Sequence, residues 1–400
     1  MKKILLVYDV SYPHVKGGGQ RRMYEIATRL VNKGFSVDWL CFKTWEGDNR
    51  ILSNNINYIG LPGFKGLYRI DGSRRILEPL EFTHAILFSK INYDKYDFIW
   101  SGQWPMLHIL LWVLWPKILG SAKLAIDWWE IWGETWFNYS KIFGRVGFFL
   151  EKFILKKASK LGHLILISPI GYEQAKLMAP KGNLTLIHNG IDLKAIQNAE
   201  LEQGKDKFDF VYFGRLKNHK NVDLLLRAMH HLKVSQNLIT TAIIIGGGPE
   251  LINLTKLSEE LNIAKEVTFL GPIEDNNTVY KFLKRCKLFV NPSTKEGGGS
   301  ITLFEALGAG LPVVAFKCKD GIDSLLIGDG KYGKLVLSVS YEALADELFN
   351  LVSEPEKLSY MQRDALAVSA NYDWDEIGND YLNLFSQMQN ECIESASCKI

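Results

Sequence analysis

Residues Asn291 to Val314 read NPSTKEGGGSITLFEALGAGLPVV, and this stretch decides the fold. The apolar run Lys287-Leu-Phe-Val290 before it predicts a short buried strand, ended by Pro292 and Ser293. Lys295, Glu296 and the glycines Gly297, Gly298 and Gly299 follow. Ser300 is placed to cap a helix from about Ile301 to Ala309, which Gly310 and Pro312 stop. Val313-Val-Ala-Phe316 predicts the next strand. A strand, a glycine loop and a helix N-terminus together make an anion site. Free N–H groups and the positive end of the helix dipole face the loop, and glycines let a phosphate approach the backbone. Glu296 precedes the glycines. Glu305 lies on a helix that is otherwise apolar at Ile301, Leu303, Phe304, Ala306 and Leu307, where an isolated carboxylate is costly. Carboxylates accept hydrogen bonds from sugar hydroxyls. Phosphate donors beside sugar acceptors point to a nucleotide sugar.

A second strand–loop–helix precedes it. Phe208 to Phe213 predicts a strand, Gly214-Arg-Leu-Lys-Asn-His-Lys-Asn221 a loop, and Val222 to Met229 a helix. Two cations on a strand-end loop, Arg215 and Lys220, are suited to neutralise a departing pyrophosphate. Thr241 to Ile245 with Gly246-Gly-Gly-Pro249, and Val267 to Leu270 with Gly271-Pro272, predict two further strands and turns.

These motifs resemble the retaining glycosyltransferases of the GT-B fold, the nucleotide-sugar group numbered four. The matching residues are Pro292-Ser293, Glu296-Gly297-Gly298-Gly299, Glu305-Ala306 and Gly310-Leu311-Pro312-Val313, with Gly214-Arg215-Leu216 and Lys220 upstream and Asn189-Gly190-Ile191-Asp192 before the interdomain linker. The family has seven residues between its two glutamates; here there are eight, so one glycine bulges the loop. The resemblance implies an α/β protein of two doubly wound Rossmann-like domains facing across a cleft. It places an acceptor-side domain at 1–200, a nucleotide-sugar domain at 201–370, and a last helix, 371–390, returning to the first domain. It implies transfer of a sugar from a nucleoside diphosphate sugar to a hydroxyl of a glycan or lipid-linked saccharide, with retention. Arg215 and Lys220 would stabilise the leaving diphosphate, Gly298, Gly299, Ser300 and Ile301 would add backbone donors, Glu305 would hold the ribose, and Glu296 the donor sugar. Pro272 marks the turn where the family reads the base, and Gly246 is a further donor-binding position.

The first half repeats the pattern. Ile4 to Tyr8 predicts a strand, Gly17-Gly18-Gly19 a loop, Gln20 to Asn32 a helix and Ser36 to Phe42 a strand. The loop lacks the third glycine of a dinucleotide fingerprint, so NAD binding is not expected. Gly18 and Gly19 either make a tight turn or, as the resemblance implies, approach donor phosphates or acceptor. Residues 45–90 read as irregular. Phe98-Ile-Trp100 and Leu124-Ala-Ile126 predict strands, and Asp127-Trp-Trp-Glu-Ile-Trp-Gly-Glu-Thr-Trp136 follows the second. Strand ends in such sheets open on the ligand crevice; the tryptophans there either stack on sugar or pack on one another. Trp129 stands where the family often has a histidine, which leaves Asp127 and Glu130 as substitute polar contacts.

The whole-chain figures bound these readings. Four hundred residues suggest two domains. Composition is 47% hydrophobic and 23% charged, that of a globular protein, and a net charge of +3 exerts no strong pull on nucleic acid. Cys41, Cys286, Cys318, Cys392 and Cys398 are scattered and without metal spacing, as in a reducing cytoplasm. No metal or cofactor is expected. The opening apolar run stops at Asp9 and reads as a strand rather than a signal peptide; Trp104 to Leu119 reads as a buried or interfacial helix. Asp373-Trp-Asp375 reads as a helix cap, not a metal motif, and residues 390–400 as a disordered tail. On a helix over 141–160, Lys141, Arg145, Lys152, Lys156 and Lys160 make one stripe. Phe143, Val146, Leu150, Phe153 and Ile154 form the other face, packed on the core or set in a membrane interface. The expected location is cytoplasmic, with peripheral membrane contact open. A donor-binding subunit without turnover, and an epimerase or hydrolase on the same fold, are the rival functions.

Overall fold

The computed structural model describes residues 1–15, 17–67, 75–139, 143–200, 207–296, 299–319 and 321–397, with only the backbone of 138, 139, 143 and 392–397. The chain forms two compact units: Met1–His188 with Asp375–Ile400, and Asn189–Trp374.

The first unit runs β1 (Lys3–Val7), α1 (Gly18–Asn32), β2 (Ser36–Phe42), β3 (Arg50–Ser53), β4 (Ile56–Leu61), α2 (Glu78–Phe88), β5 (Phe98–Gly102), α3 (Leu107–Leu114), β6 (Lys123–Trp128), α4 (Thr135–Tyr139), α5 (Phe143–Leu161), β7 (His163–Leu166), α6 (Pro169–Met178) and β8 (Asn183–Leu186). Its sheet has the order β3-β4-β2-β1-β5-β6-β7-β8, parallel except for β3 against β4. Buried strands on both faces explain the unbroken apolar runs. Leu5, Val7, Leu40, Phe42 and Ile99 face a core shared with Phe82 and Ile86 of α2, Ile109 and Trp112 of α3, and Ile154, Leu155 and Ala158 of α5. Residues one register away face the other side: Phe98 packs 4.6 Å from Phe385.

The second unit runs α7 (Leu193–Asn198), β9 (Phe208–Phe213), α8 (Val222–Ser235), β10 (Ala242–Ile245), α9 (Leu251–Glu260), β11 (Val267–Gly271), α10 (Asn276–Leu283), β12 (Cys286–Asn291), α11 (Ile301–Gly308), β13 (Val313–Phe316), β14 (Gly333–Val336), α12 (Tyr341–Ser353) and α13 (Pro355–Ser369). The order β11-β10-β9-β12-β13-β14 is doubly wound. Its switch point lies between β9 and β12, and the carboxyl ends there are where such sheets bind ligands. Helix α14 (Trp374–Ser397) then belongs, from Asp375 on, to the first unit.

Three expectations need correction. Residues 45–90 hold β3, β4 and α2; Asn54 and Asn55, at φ 49° and 60°, form the two-residue hairpin turn that joins β3 to β4. Trp104 to Leu119 is helical only over α3 and a single 3-10 turn, Pro116–Leu119, because Pro116 cannot extend the α-helix. The tail from Asn390 continues α14 to Ser397. Asp373 accepts the amide of Leu193 at 3.2 Å and Asp375 pairs with Arg29 at 2.7 Å, so both acids of that motif are engaged. Among the described residues no helix is long and apolar enough to cross a membrane.

Candidate active site

In the second unit the loops after β9 and β12 are tied together by backbone and side-chain bonds. The His219 carbonyl accepts Thr294 N at 3.1 Å and Ser293 Oγ at 3.2 Å. Asn221, in the left-handed region at φ 50°, donates from Nδ2 to Pro292 O at 3.2 Å and Thr294 Oγ1 at 3.0 Å. Asparagine tolerates that backbone because its side chain bonds locally. The result is a pair 76 positions apart in sequence: Lys220 Nζ lies 2.5 Å from Glu296 Oε1. Their side chains are 17% and 10% exposed, so the pair is screened yet reachable. Arg215 is exposed and its guanidinium makes no hydrogen bond or ion pair among the described residues; Tyr212 Oη fixes its backbone by donating to Arg215 O at 3.0 Å. The loop is cationic enough to act on its neighbours. Burial, then Lys220 and Lys217, lower the pKa of His219, with Glu296 opposing.

Backbone geometry dictates the neighbouring turn. A Cβ at Gly246, φ 136°, would lie 1.9 Å from Gly214 O, so only glycine fits where the β9 and β10 ends meet. Gly246 N donates to Gly271 O at 2.8 Å and Leu216 N to Gly247 O at 2.9 Å; Pro272 then packs on Gly247. At α11, Ser300 holds the expected extended cap backbone, but its side chain makes no cap bond. It pairs with Thr302 Oγ1 at 2.7 Å instead. Asn189 Nδ2 donates to Gly299 O. Glu305, 6% exposed, accepts Tyr280 Oη at 3.0 Å, which answers the cost of a carboxylate on an apolar helix. Gly298 lies outside the described residues.

In the first unit the corresponding loop is filled by the protein itself. Gly18 opens α1 and is exposed. A Cβ on Gly19 would stand 2.7 Å from the Trp129 ring, which meets Tyr8 edge-on at 5.2 Å. Asp127 is fully buried. It accepts Arg22 Nε at 2.9 Å, Trp100 Nε1 at 3.1 Å and Tyr381 Oη. Arg22 also donates to Ile187 O and Tyr381 Oη at 3.0 and 2.9 Å, and to His188 O. Burial alone would lower the Arg22 pKa; Tyr381 and Asp127 outweigh it and raise it. Glu130 is half-buried, and its carboxylate makes no hydrogen bond or ion pair among the described residues. Gln103 clasps its peptide, donating to Glu130 O at 2.7 Å and accepting Trp129 N at 3.1 Å. Trp104, Trp132 and Trp136 pack on one another at 4.7–6.1 Å. Glu151, fully buried, pins that loop by accepting Trp132 N, Gly133 N and Trp136 Nε1 at 2.8–3.1 Å.

Residues 194–367 match the model of glycosyl transferases group 1. This segment is a glycosyl transferases group 1 domain. The chain is 36% identical over 183 residues to an N-acetylgalactosamine-N,N'-diacetylbacillosaminyl-diphospho-undecaprenol 4-alpha-N-acetylgalactosaminyltransferase of Campylobacter jejuni, covering 41% of this chain and 47% of that protein. It spans about half the length of the first curated relatives it matches. Two solved structures share the fold across both units. They are a sucrose-phosphate synthase from Thermosynechococcus elongatus (TM-score 0.75, 21% identity, 98% and 100% of the two chains) and Anabaena HepE in complex with UDP (TM-score 0.70, 17% identity, 97% and 100%). Two parallel-sheet units of this kind are the GT-B fold.

Within the group 1 domain, Arg215, Lys220, Gly246, Pro272, Glu296, Gly299, Ser300, Ile301 and Glu305 all stand on strand-end turns or on α11. Gly18, Gly19, Asp127 and Glu130 stand in the first unit. There the structure commits Asp127 to Arg22 and Tyr381, leaving Glu130 as the acid with an open carboxylate. Sequence reading missed Tyr280, Arg22, Gln103 and Glu151, and it gave Asn189 no bond to Gly299. Two carried a signal: Arg22 shares the apolar stripe of Met23, Ile26 and Leu30 on α1, and Glu151 that of Ile154, Leu155 and Ala158 on α5. Among the described residues no cluster of three His, Cys, Asp or Glu side chains is placed to hold a metal.

Proposed function

We propose that this chain is a glycosyltransferase that moves a hexosyl group from a nucleoside diphosphate sugar to a hydroxyl of a glycan or lipid-linked saccharide, with retention at the anomeric carbon. The observation that carries this reading is the Lys220–Glu296 pair at the switch point of a group 1 domain, 2.5 Å apart, beside exposed Arg215. A diphosphate arriving there takes Lys220 from Glu296 and meets Arg215 and the N–H groups that open α11. Glu296, released, accepts hydroxyls of the donor sugar, and Glu305 those of the ribose. As the glycosidic bond to the diphosphate breaks, the two cations stabilise the charge that develops on the leaving oxygen. HepE, which shares the fold, has been solved with UDP-glucose, and the Campylobacter relative's name carries a diphospho-undecaprenol acceptor; both support the choice of substrates. In this reading side-chain cations take the place of a metal, and the protein works in the cytoplasm against a membrane-borne acceptor. Glu130 is the first-unit acid assigned to the acceptor side.

The test is turnover of a nucleotide-sugar panel with a lipid and glycan extract, read as released nucleoside diphosphate and as the anomeric configuration of the product. Release that needs acceptor, survives EDTA and keeps the donor's configuration is expected. Donor binding without release would replace the reading with that of a non-catalytic subunit; consumption without acceptor would replace it with a hydrolase or epimerase.

A further inference from the structure

Helices α2, α3 and α5 lie side by side on one face of the first sheet. Their inward residues are buried, but their outward faces are not polar. Leu87 and Phe88 end α2, Trp115 follows α3, and Val146, Phe149 and Phe153 lie on α5, all between 41% and 66% exposed. Helix α5 sharpens the contrast. Glycines 144 and 147, Glu151, Ile154, Leu155 and Ala158 are buried. Arg145, Val146, Phe149, Lys152, Phe153, Lys156, Lys157 and Lys160 are exposed. At 100° per residue these exposed positions fall within one arc of about 140°. The apolar face, expected to lie as a unit either on the core or in a membrane interface, is therefore split: Ile154 enters the core, whereas Val146 and Phe153 stand among the cations. Gly144 and Gly147 explain the rotation, because Cβ atoms there would strike the Trp136 backbone and ring within 2.4 Å. Lys141 and the Phe143 side chain lie outside the described residues. The acid of α5, Glu151, is spent inside on Trp132 and Gly133 amides.

We infer that the outward face of the α2–α3–α5 layer docks the protein on an anionic lipid surface, Val146, Phe149 and Phe153 entering the headgroup boundary and the α5 cations meeting lipid phosphates. This deepens the membrane contact of the proposed function. Exposed aromatic side chains interleaved with lysines, on a helix whose acid is buried, suit an interface that is apolar below and anionic above. A second copy fits worse. A two-fold contact sets the same patch against itself, which here opposes lysine to lysine.

The experiment is co-sedimentation of the full chain with phosphatidylcholine vesicles, with and without phosphatidylglycerol, at low and high salt. Binding should require phosphatidylglycerol and weaken with salt. The variant Lys152→Gln/Lys156→Gln/Lys160→Gln should lower affinity by about tenfold or more. Val146→Gln/Phe149→Gln should lower the binding that remains at high salt; both positions are exposed, and unchanged far-UV dichroism and unfolding midpoints confirm that the variants fold. No sedimentation at low salt, indifference to both variants, or a dimer that Val146→Gln/Phe149→Gln dissociates would each overturn the inference. Vesicle binding needs no donor. Its failure with diphosphate release intact sinks the docking surface alone; vesicle binding without release sinks glycosyl transfer alone.

Discussion

Two ion pairs mark the ends of the two sheets, and they differ in what surrounds them. Arg22–Asp127 in the first unit is 1% and 0% exposed, and Lys220–Glu296 in the second is 17% and 10% exposed. Both sit where a strand meets a glycine-bearing loop. In the first, the protein supplies the partners itself: Trp100, Tyr381 and two carbonyls complete the bonding of both charges. In the second, a lysine and a glutamate hold one another at the mouth of a loop that has backbone donors beside it. A charge pair at a strand end is thus no sign of a site by itself. The remaining hydrogen-bonding capacity, and whether the fold uses it up, separates architecture from chemistry.

The largest test of that contrast is Asp127→Ala. It leaves the Arg22 charge buried without its partner, and urea unfolding should show a loss of about 3–5 kcal/mol. An unchanged midpoint would mean the sealed pair is not structural. In the second unit the effect should fall on turnover. Lys220→Ala and Arg215→Ala should each lower the rate by roughly 10²–10³, the scale of one positioned transition-state donor, while Arg215→Ala shifts unfolding by no more than about 0.5 kcal/mol. Near-normal rates in both would erase the distinction between the pairs.

Sealing also has a pH signature in the first unit. His108 is buried between Ser101 Oγ, 2.7 Å from Nε2, and Pro105 O; burial lowers its pKa to about 4 despite the Pro105 bond. The unfolded chain binds a proton near pH 6.5 that the folded chain refuses until about 4. Stability is therefore full above the unfolded value and falls as pH drops through this window, by about 1.4 kcal/mol per unit. Urea midpoints at pH 7 and pH 5 should differ less in His108→Gln than in the wild type; equal slopes would refute the assignment. The smallest effect is expected at Tyr280→Phe. Losing one hydrogen bond to Glu305 should weaken nucleoside diphosphate binding by about 0.5–1.5 kcal/mol, read across a panel as a smaller thermal shift, with Glu305→Gln shifting it in the same direction.

Local patterns in the sequence carried most of the fold. The strands Ser36–Phe42, Phe208–Phe213 and Val313–Phe316 have the bounds expected from their apolar runs. Gly310 and Pro312 end α11 within one residue of the expected place. What stayed hidden was set by partners far along the chain. Ser300 has the backbone of a cap, yet its hydroxyl prefers Thr302, a choice made by side-chain geometry. Glu305 was visible as an acid on an apolar helix, whereas its partner Tyr280, 25 positions away, carried no mark. Asp127 looked available because sequence shows a strand-end acid but not the arginine and tyrosine that occupy it. On α5 the cations Arg145, Lys152, Lys156 and Lys160 are exposed as their spacing predicts, whereas Val146 and Phe153 stand beside them rather than opposite, because Gly144 and Gly147 turn toward Trp136.

The bond from Arg22 to Tyr381 joins residues 359 apart, with the whole second unit between them. On the ribosome that interval has an order. The sheet of the first unit emerges early, with Arg22 and Asp127 in place and no tyrosine to complete them. The group 1 domain is synthesised next and has its own cores to close around. Only then does α14 leave the exit tunnel and bring Tyr381 to Arg22 and Phe385 to Phe98. The earliest segment made is the last to be finished, and a nascent chain stalled before α14 would hold a closed second unit and a first unit whose Arg22 and Asp127 still lack Tyr381.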